Sequence, residues 1–143
     1  MATQTKLQRK NTPQVIPPGE WTLLTYDTVI RNDDSMQQGM CLIVPPYNGD
    51  FLWARNVSWD AITLPPFDTR QRQFAARFVR DPFGIHDDTG STDQTDTAGK
   101  DFHTTVWPFY GRAGQAVGVE VWHDHTEAVA VTQAQFSATT WDY

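Results

Sequence analysis

At 143 residues the chain is long enough to bury one core without disulfides or metals, and its single cysteine, Cys41, excludes an intrachain disulfide framework. Aromatics make up 13% of the residues, with six Trp and eight Phe, and Thr and Val outnumber Lys and Leu, a balance that suits pleated sheets better than helices. The formal charge is −6; residues 1–12 hold Lys6, Arg9 and Lys10 with no acid, so the remainder carries 8 basic against 17 acidic residues, a body ill suited to nucleic acid.

Residues 1–13 are polar and basic with no hydrophobic period, and read as an extended arm outside the core. Such an arm is either a disordered terminus or a segment that docks on a neighbouring subunit or an acidic surface, with Lys6, Arg9 and Lys10 as its contacts. No apolar h-region opens the chain, and no apolar run approaches the roughly 20 residues of a membrane helix, so synthesis in the cytoplasm without membrane insertion is expected. Residues 14–143 then form one domain. Pro13, Pro17, Pro18 and Gly19 punctuate its start around a short extended piece, Gln14-Val15-Ile16.

Residues 21–30 are rich in β-branched and aromatic side chains and predict one strand, ended by the polar cluster Arg31-Asn32-Asp33-Asp34-Ser35. Residues 40–44 predict a short apolar strand stopped by Pro45-Pro46, and Asn48-Gly49 predicts a tight reversal with positive φ angles. From Phe51 the odd positions are Phe51, Trp53, Arg55, Val57 and Trp59, and the even ones are lighter and more polar, the period of a strand with one heavy face. Arg55 is the misfit on that face. It either stacks on the indoles of Trp53 and Trp59 or reaches an acid at a subunit contact, and Trp53, Arg55 and Trp59 are the candidate subunit interface.

Phe74, Ala76 and Phe78 alternate in a further strand closed by Asp81-Pro82-Phe83-Gly84, although a helix is conceivable there. Residues 86–101 are dense in Asp, Thr, Ser and Gly and predict a long exposed loop. Residues 102–110, 116–122 and 128–141 alternate as three more strands, the second with Val117, Val119 and Val121 facing inward and the last entered through the polar loop His123-Asp124-His125-Thr126-Glu127. Short strands with a turn every 8–12 residues describe an all-β, antiparallel sandwich or jelly roll.

Candidate chemistry is sparse. His123 and His125, joined by His103 or His86, form the best metal candidate, but two His at this spacing fix no third ligand, and a solvated loop tip is the competing reading. The acids between Asp87 and Asp101 do not have the spacing of a calcium loop. Cys41 sits in an apolar run and reads as a small buried hydrophobe. No serine lies in a Gly-x-Ser-x-Gly context and no phosphate-binding Gly-rich loop is present, so no enzyme, catalytic residue, metal or cofactor is expected. Trp107, Phe109 and Tyr110 are candidate surface-binding aromatics, platforms on which a sugar could stack.

Leu42-Ile43-Val44-Pro45 followed by Gly49, Phe51, Val57 and Trp59 resembles the hairpin of the complement-type and tumour-necrosis-factor-like jelly rolls. Pro17-Pro18-Gly19-Glu20-Trp21-Thr22 through Asp27 is similar to the first strand of such domains in phage virion proteins. Residues 114–122 and Gln135-Phe136-Ser137-Ala138 resemble the last two strands, with Gln115 where the family has Asp and Ala138 where it has Gly. The resemblance implies a homotrimer packed through aromatic strand faces. It also implies a structural protein of a bacteriophage virion: a minor tail protein held to other virion proteins by its arm, with a host-surface-binding role. The alternatives are a head decoration protein and a carbohydrate-binding adhesin whose partner is a host cell-surface glycan. The implied location is the virion.

Overall fold

The computed structural model describes residues 2–141; Met1 of the expected arm and Asp142 and Tyr143 of the expected domain lie outside the described residues. Twelve strands run through the described residues: β1 (Ala2–Arg9), β2 (Gln14–Ile16), β3 (Thr22–Leu23), β4 (Thr28–Asn32), β5 (Gln37–Gln38), β6 (Leu42–Ile43), β7 (Gly49–Trp59), β8 (Arg72–Arg80), β9 (Asp93–Thr97), β10 (Phe102–Gly111), β11 (Val117–His123) and β12 (Val129–Trp141). The only helical element among these residues is a 3-10 turn at Asp33–Ser35, and no helix is long and apolar enough to cross a membrane.

The strands form two antiparallel sheets. The front sheet has the order β10-β7-β12-β1-β4, with β2 on β12, and the back sheet has the order β5-β6-β11-β8-β9, with β3 on β11. Consecutive strands mostly change sheets: β6 lies in the back sheet and β7 in the front, β7 hands over to β8 in the back, and β11 hands over to β12 in the front. This is an antiparallel jelly-roll sandwich.

Strand β7 is the spine of the front sheet, and its sequence explains its place. Phe51, Trp53, Arg55, Val57 and Trp59 are all buried while Leu52, Ala54, Asn56 and Ser58 are half-buried on the other face, so the period-2 alternation puts one face in the core. Trp53 stacks on Phe109 with centroids 4.8 Å apart and planes 9° off parallel, and donates its indole N–H to the Phe109 carbonyl at 3.3 Å. From the back sheet, Phe74, Ala76 and Phe78 of β8 and Val117, Val119 and Val121 of β11 close the core, with Phe74 meeting Trp59 edge-on at 4.9 Å. Each such large apolar side chain contributes about 1.5–3 kcal/mol by leaving water.

Four expectations are corrected. Residues 2–9 are not an arm but β1, a strand paired in register with β12 on one side and β4 on the other. Its inward positions Thr5, Leu7 and Arg9 are buried, and one fully buried leucine with backbone pairing on both edges suffices to hold an otherwise polar strand. Residues 21–30 are two strands, not one: β3 pairs with β11 in the back sheet, and after a break in which Leu24 and Tyr26 plunge into the core, β4 pairs with β1 in the front sheet. Leu42 to Trp59 is a crossover between sheets rather than a hairpin, and neither Asn48 nor Gly49 has a positive φ; Asn48 instead accepts the Ala113 N–H on its side-chain oxygen at 2.8 Å. The expected loop 86–101 contains β9, whose polar residues suit an edge strand with a solvated side.

Candidate functional site

Three of the expected site residues lie inside the sandwich. Trp53 and Trp59 are fully buried and Arg55 is 2% exposed, so they belong to the core and not to a subunit face. Arg55 stacks on neither indole. Its guanidinium lies 4.4 Å from the centre of the Phe78 ring and donates from Nη2 to the carbonyls of Ala76 (3.1 Å) and Ser91 (2.9 Å) and to the Asp93 carboxylate. Asp93 also accepts from His103 Nδ1 at 3.0 Å and from the Thr105 hydroxyl at 2.9 Å. Burial pushes the Asp93 carboxyl up, but the His103 hydrogen bond and the Arg55 charge outweigh it and hold it well below the usual carboxylate range. On its far side His103 Nε2 faces Asp101 Oδ2 at 3.8 Å, and neither atom has a hydrogen-bond partner. The result is a charged seam across the core, not a cleft with a nucleophile.

The arm residues separate in the same way. Arg9 is buried and donates to the Thr12 and Thr25 carbonyls and to the Thr25 hydroxyl, which spends its guanidinium inside the molecule. Lys10 is exposed, and its backbone N–H joins those of Asn11 and Thr12 on the Asp27 carboxylate. Burial pushes the Asp27 carboxyl up, but those three N–H groups and the Thr28 hydroxyl outweigh it and hold it well below the usual range. Lys6 points outward from β1 over a shallow trough lined by Ala54, Asn56, Thr104 and Ser137.

The histidines are dispersed among unrelated partners. His123 Nε2 donates to the Ile16 carbonyl at 2.9 Å and its Nδ1 accepts from the His125 N–H at 3.1 Å, so both ring nitrogens are engaged; burial lowers its pKa first of all. His86 sits 3.0 Å from both Glu120 oxygens, and Glu120 also accepts from Arg77, whose guanidinium lies 3.8 Å over the Trp21 ring. Among the described residues no three His, Cys, Asp or Glu converge on one point. Cys41 is half-buried rather than buried, and burial pushes its thiol up.

The surface aromatics do not form one platform. Phe109 turns inward onto Trp53, whereas Trp107 and Tyr110, 40% and 49% exposed, leave opposite faces of the edge strand β10. The register instead assembles a surface that the sequence reading did not single out. On the outer face of the front sheet Phe102, Thr104, Val106 and Pro108 of β10 stand beside Ser58, Asn56, Ala54 and Leu52 of β7, and Gln135, Ser137 and Thr139 of β12 continue the row. Phe102, Val106 and Tyr110 are about half exposed there, and a hollow of about 400 Å³ opens at the rim between Tyr47, Leu52, Pro108 and Trp141. The even-numbered half of the alternation in residues 50–58 and 102–110 is the signal that marks this surface. The back sheet differs, because its outer face carries the Arg77–Glu120–His86 cluster and is overlaid by Leu23 and Leu42 at Gly118.

Two six-stranded antiparallel sheets with this strand order and a packed aromatic core define a jelly-roll domain with the tumour-necrosis-factor-like fold. Solved structures of the same fold include the globular domain of zebrafish complement 1qA, with TM-score 0.63 and 8% identity over 99% of this chain and 98% of that one. Murine APRIL at pH 5.0 superposes with TM-score 0.68 and 10% identity, covering 97% of this chain and 100% of that one. Murine APRIL at pH 8.5 gives 0.60 and 11% over 94% and 98%. No family model and no curated protein matches the sequence.

Proposed function

We propose that this chain is a non-catalytic assembly module, a homotrimer built through the outer face of the front sheet, that serves as a structural protein of a phage virion. The observation that carries the reading is that outer face: Leu52, Ala54, Phe102, Val106 and Pro108 form an apolar row, bordered by Lys6, on a protein of formal charge −6. Exposed apolar surface of this kind is hidden by association, and a face running from the edge strand β10 across β7 to β12 offers room for a standard interface, about 800 Å² per partner. The fold it shares with complement 1qA and APRIL supports a role in assembly and recognition rather than turnover.

The virion setting is supported by the likeness of residues 17–27 to the first strand of phage virion jelly rolls. Within the virion we assign it to the tail as a minor component with a host-surface-binding role. Since residues 2–9 are a paired strand, attachment falls to the loops and the exposed faces rather than to an arm. Sedimentation equilibrium at micromolar concentration tests the assembly, with a trimer expected and a stable monomer overturning it. Immunogold labelling of purified particles tests the setting, with label at the tail expected and unlabelled particles overturning it.

A further inference from the structure

A pocket of about 210 Å³ opens at one end of the sandwich, between residues 60–63, which leave β7, and the connection from β11 to β12. None of its lining residues is among those of the proposed trimer face, so its chemistry is tested separately from the trimer and from the virion setting. Its surface is mostly polar, with His125, Asp60 and Glu127 among the lining residues, and the nearly buried Ile62 and Val129 add a small apolar part.

His125 is 5% exposed, and its state is set from behind. Arg72, itself fully buried, donates from Nε to His125 Nδ1 at 3.1 Å, while its other nitrogens donate to the Arg70 carbonyl and the Asp68 carboxylate, each at 2.7 Å. A guanidinium has no lone pair to offer, so this contact requires the lone pair of Nδ1 and puts the ring proton on Nε2. The backbone is fixed as well, since the His125 N–H donates to His123 Nδ1. The ring therefore brings one fixed N–H donor to the pocket, with no protein acceptor for it among the described residues. Asp60 and Glu127 bring acceptors, and Asp60 already takes the Ala61 N–H on one oxygen at 2.9 Å.

This combination selects its ligand. A metal ion needs a nitrogen lone pair, and freeing Nε2 would move the proton to Nδ1, against the Arg72 N–H. An anion would meet two carboxylates. A hydroxyl group both donates and accepts, so neighbouring hydroxyls satisfy a histidine N–H and two carboxylates together while the C–H face of the ring rests on Ile62 and Val129. We propose that this pocket binds a single pyranose residue, as the terminal sugar of a glycan.

The full chain, titrated with the methyl glycosides of glucose, galactose, mannose and N-acetylglucosamine and followed by saturation-transfer and heteronuclear NMR, tests the proposal. At least one glycoside should bind with a dissociation constant on the order of 1 mM and shift the amides of Ile62, Thr63, Glu127 and Ala128. Glu127→Gln and Asp60→Asn, both at exposed positions, should each weaken binding about fivefold, the value of one hydrogen bond, without moving the thermal melt. The proposal is overturned if no glycoside binds up to about 50 mM, if neither variant changes the affinity, or if the shifted amides lie elsewhere. Calcium or L-alanine shifting these amides where the glycosides do not also overturns it.

Discussion

The guanidinium of Arg55 on β7 reaches the carboxylate of Asp93 on β9, so an ion pair ties the middle of the front sheet to the edge of the back sheet through the core. Arg55 is 1% exposed at its side chain, and with Asp93 lost it keeps the Ala76 and Ser91 carbonyls as acceptors but no opposite charge among the described residues.

Asp93→Asn is therefore expected to cost about 3 kcal/mol, the scale of breaking a buried pair from one side, read as a lowered urea midpoint at pH 7. The double variant Arg55→Met/Asp93→Asn should recover part of that loss, because the stranded charge leaves with its partner. A double variant less stable than Asp93→Asn would show that Arg55 is held by Phe78 and the backbone carbonyls instead.

The same pair sets a pH dependence. Asp93 and Asp27 both have folded-state pKa values below the ordinary carboxylate value. As pH falls, the unfolded chain takes up these protons first, so the stability they contribute is complete above about pH 4 and is lost below it, as pH drops through the lowered values. Urea midpoints should fall steeply below about pH 4, and the fall should be shallower in Asp93→Asn. Parallel curves for the two proteins would remove Asp93 from the account.

Strand β1 predicts its own outcome. Leu7 is fully buried between β12 and β4, so Leu7→Ala should cost about 2–5 kcal/mol. Deleting residues 2–9 should leave a chain without the cooperative thermal transition of the intact protein. A deletion variant that melts like the full chain would restore the arm.

On the outer face of the front sheet Ala54 is half-buried beside Val106. Ala54→Glu should turn the proposed trimer into monomers in sedimentation while leaving the circular dichroism spectrum unchanged, because the carboxylate projects from the sheet and meets its symmetry copies only on assembly. Gln94→Glu, outward on the back sheet, should leave the trimer intact. Equal sedimentation of both variants would move the interface off this face.

Most strands could be read from the sequence because they alternate: Phe51, Trp53, Val57 and Trp59 share one parity in residues 51–59, Val117, Val119 and Val121 in residues 117–123, and residues 102–110 are rich in aromatic and β-branched side chains. What could not be read was partnership. Turn signals such as Asn48-Gly49 mark a change of direction but not whether the chain returns to the same sheet, and here it crosses to the other one. Strand β1 escapes a reading by periodicity because its stability comes from pairing on both edges, which leaves no hydrophobic period to see. Arg55 stands out as a misfit, but its partner Asp93 lies 38 residues away in a polar stretch, and nothing local distinguishes that aspartate from its neighbours. The sugar pocket depends on a tautomer fixed by Arg72, a contact across 53 residues.

The register of β12 has a kinetic consequence. Its residues pair with β1, β2 and β7, strands drawn from the first 59 residues, so the centre of the front sheet is missing until the final segment of the fold arrives. On a ribosome the earlier strands would wait with bare edges, and the back sheet, whose strands all precede β12, would form first. The nascent chain thus passes through a half-built state in which Leu7, Trp53 and Val57 lack their cover, and the last strand acts as the latch that ends it.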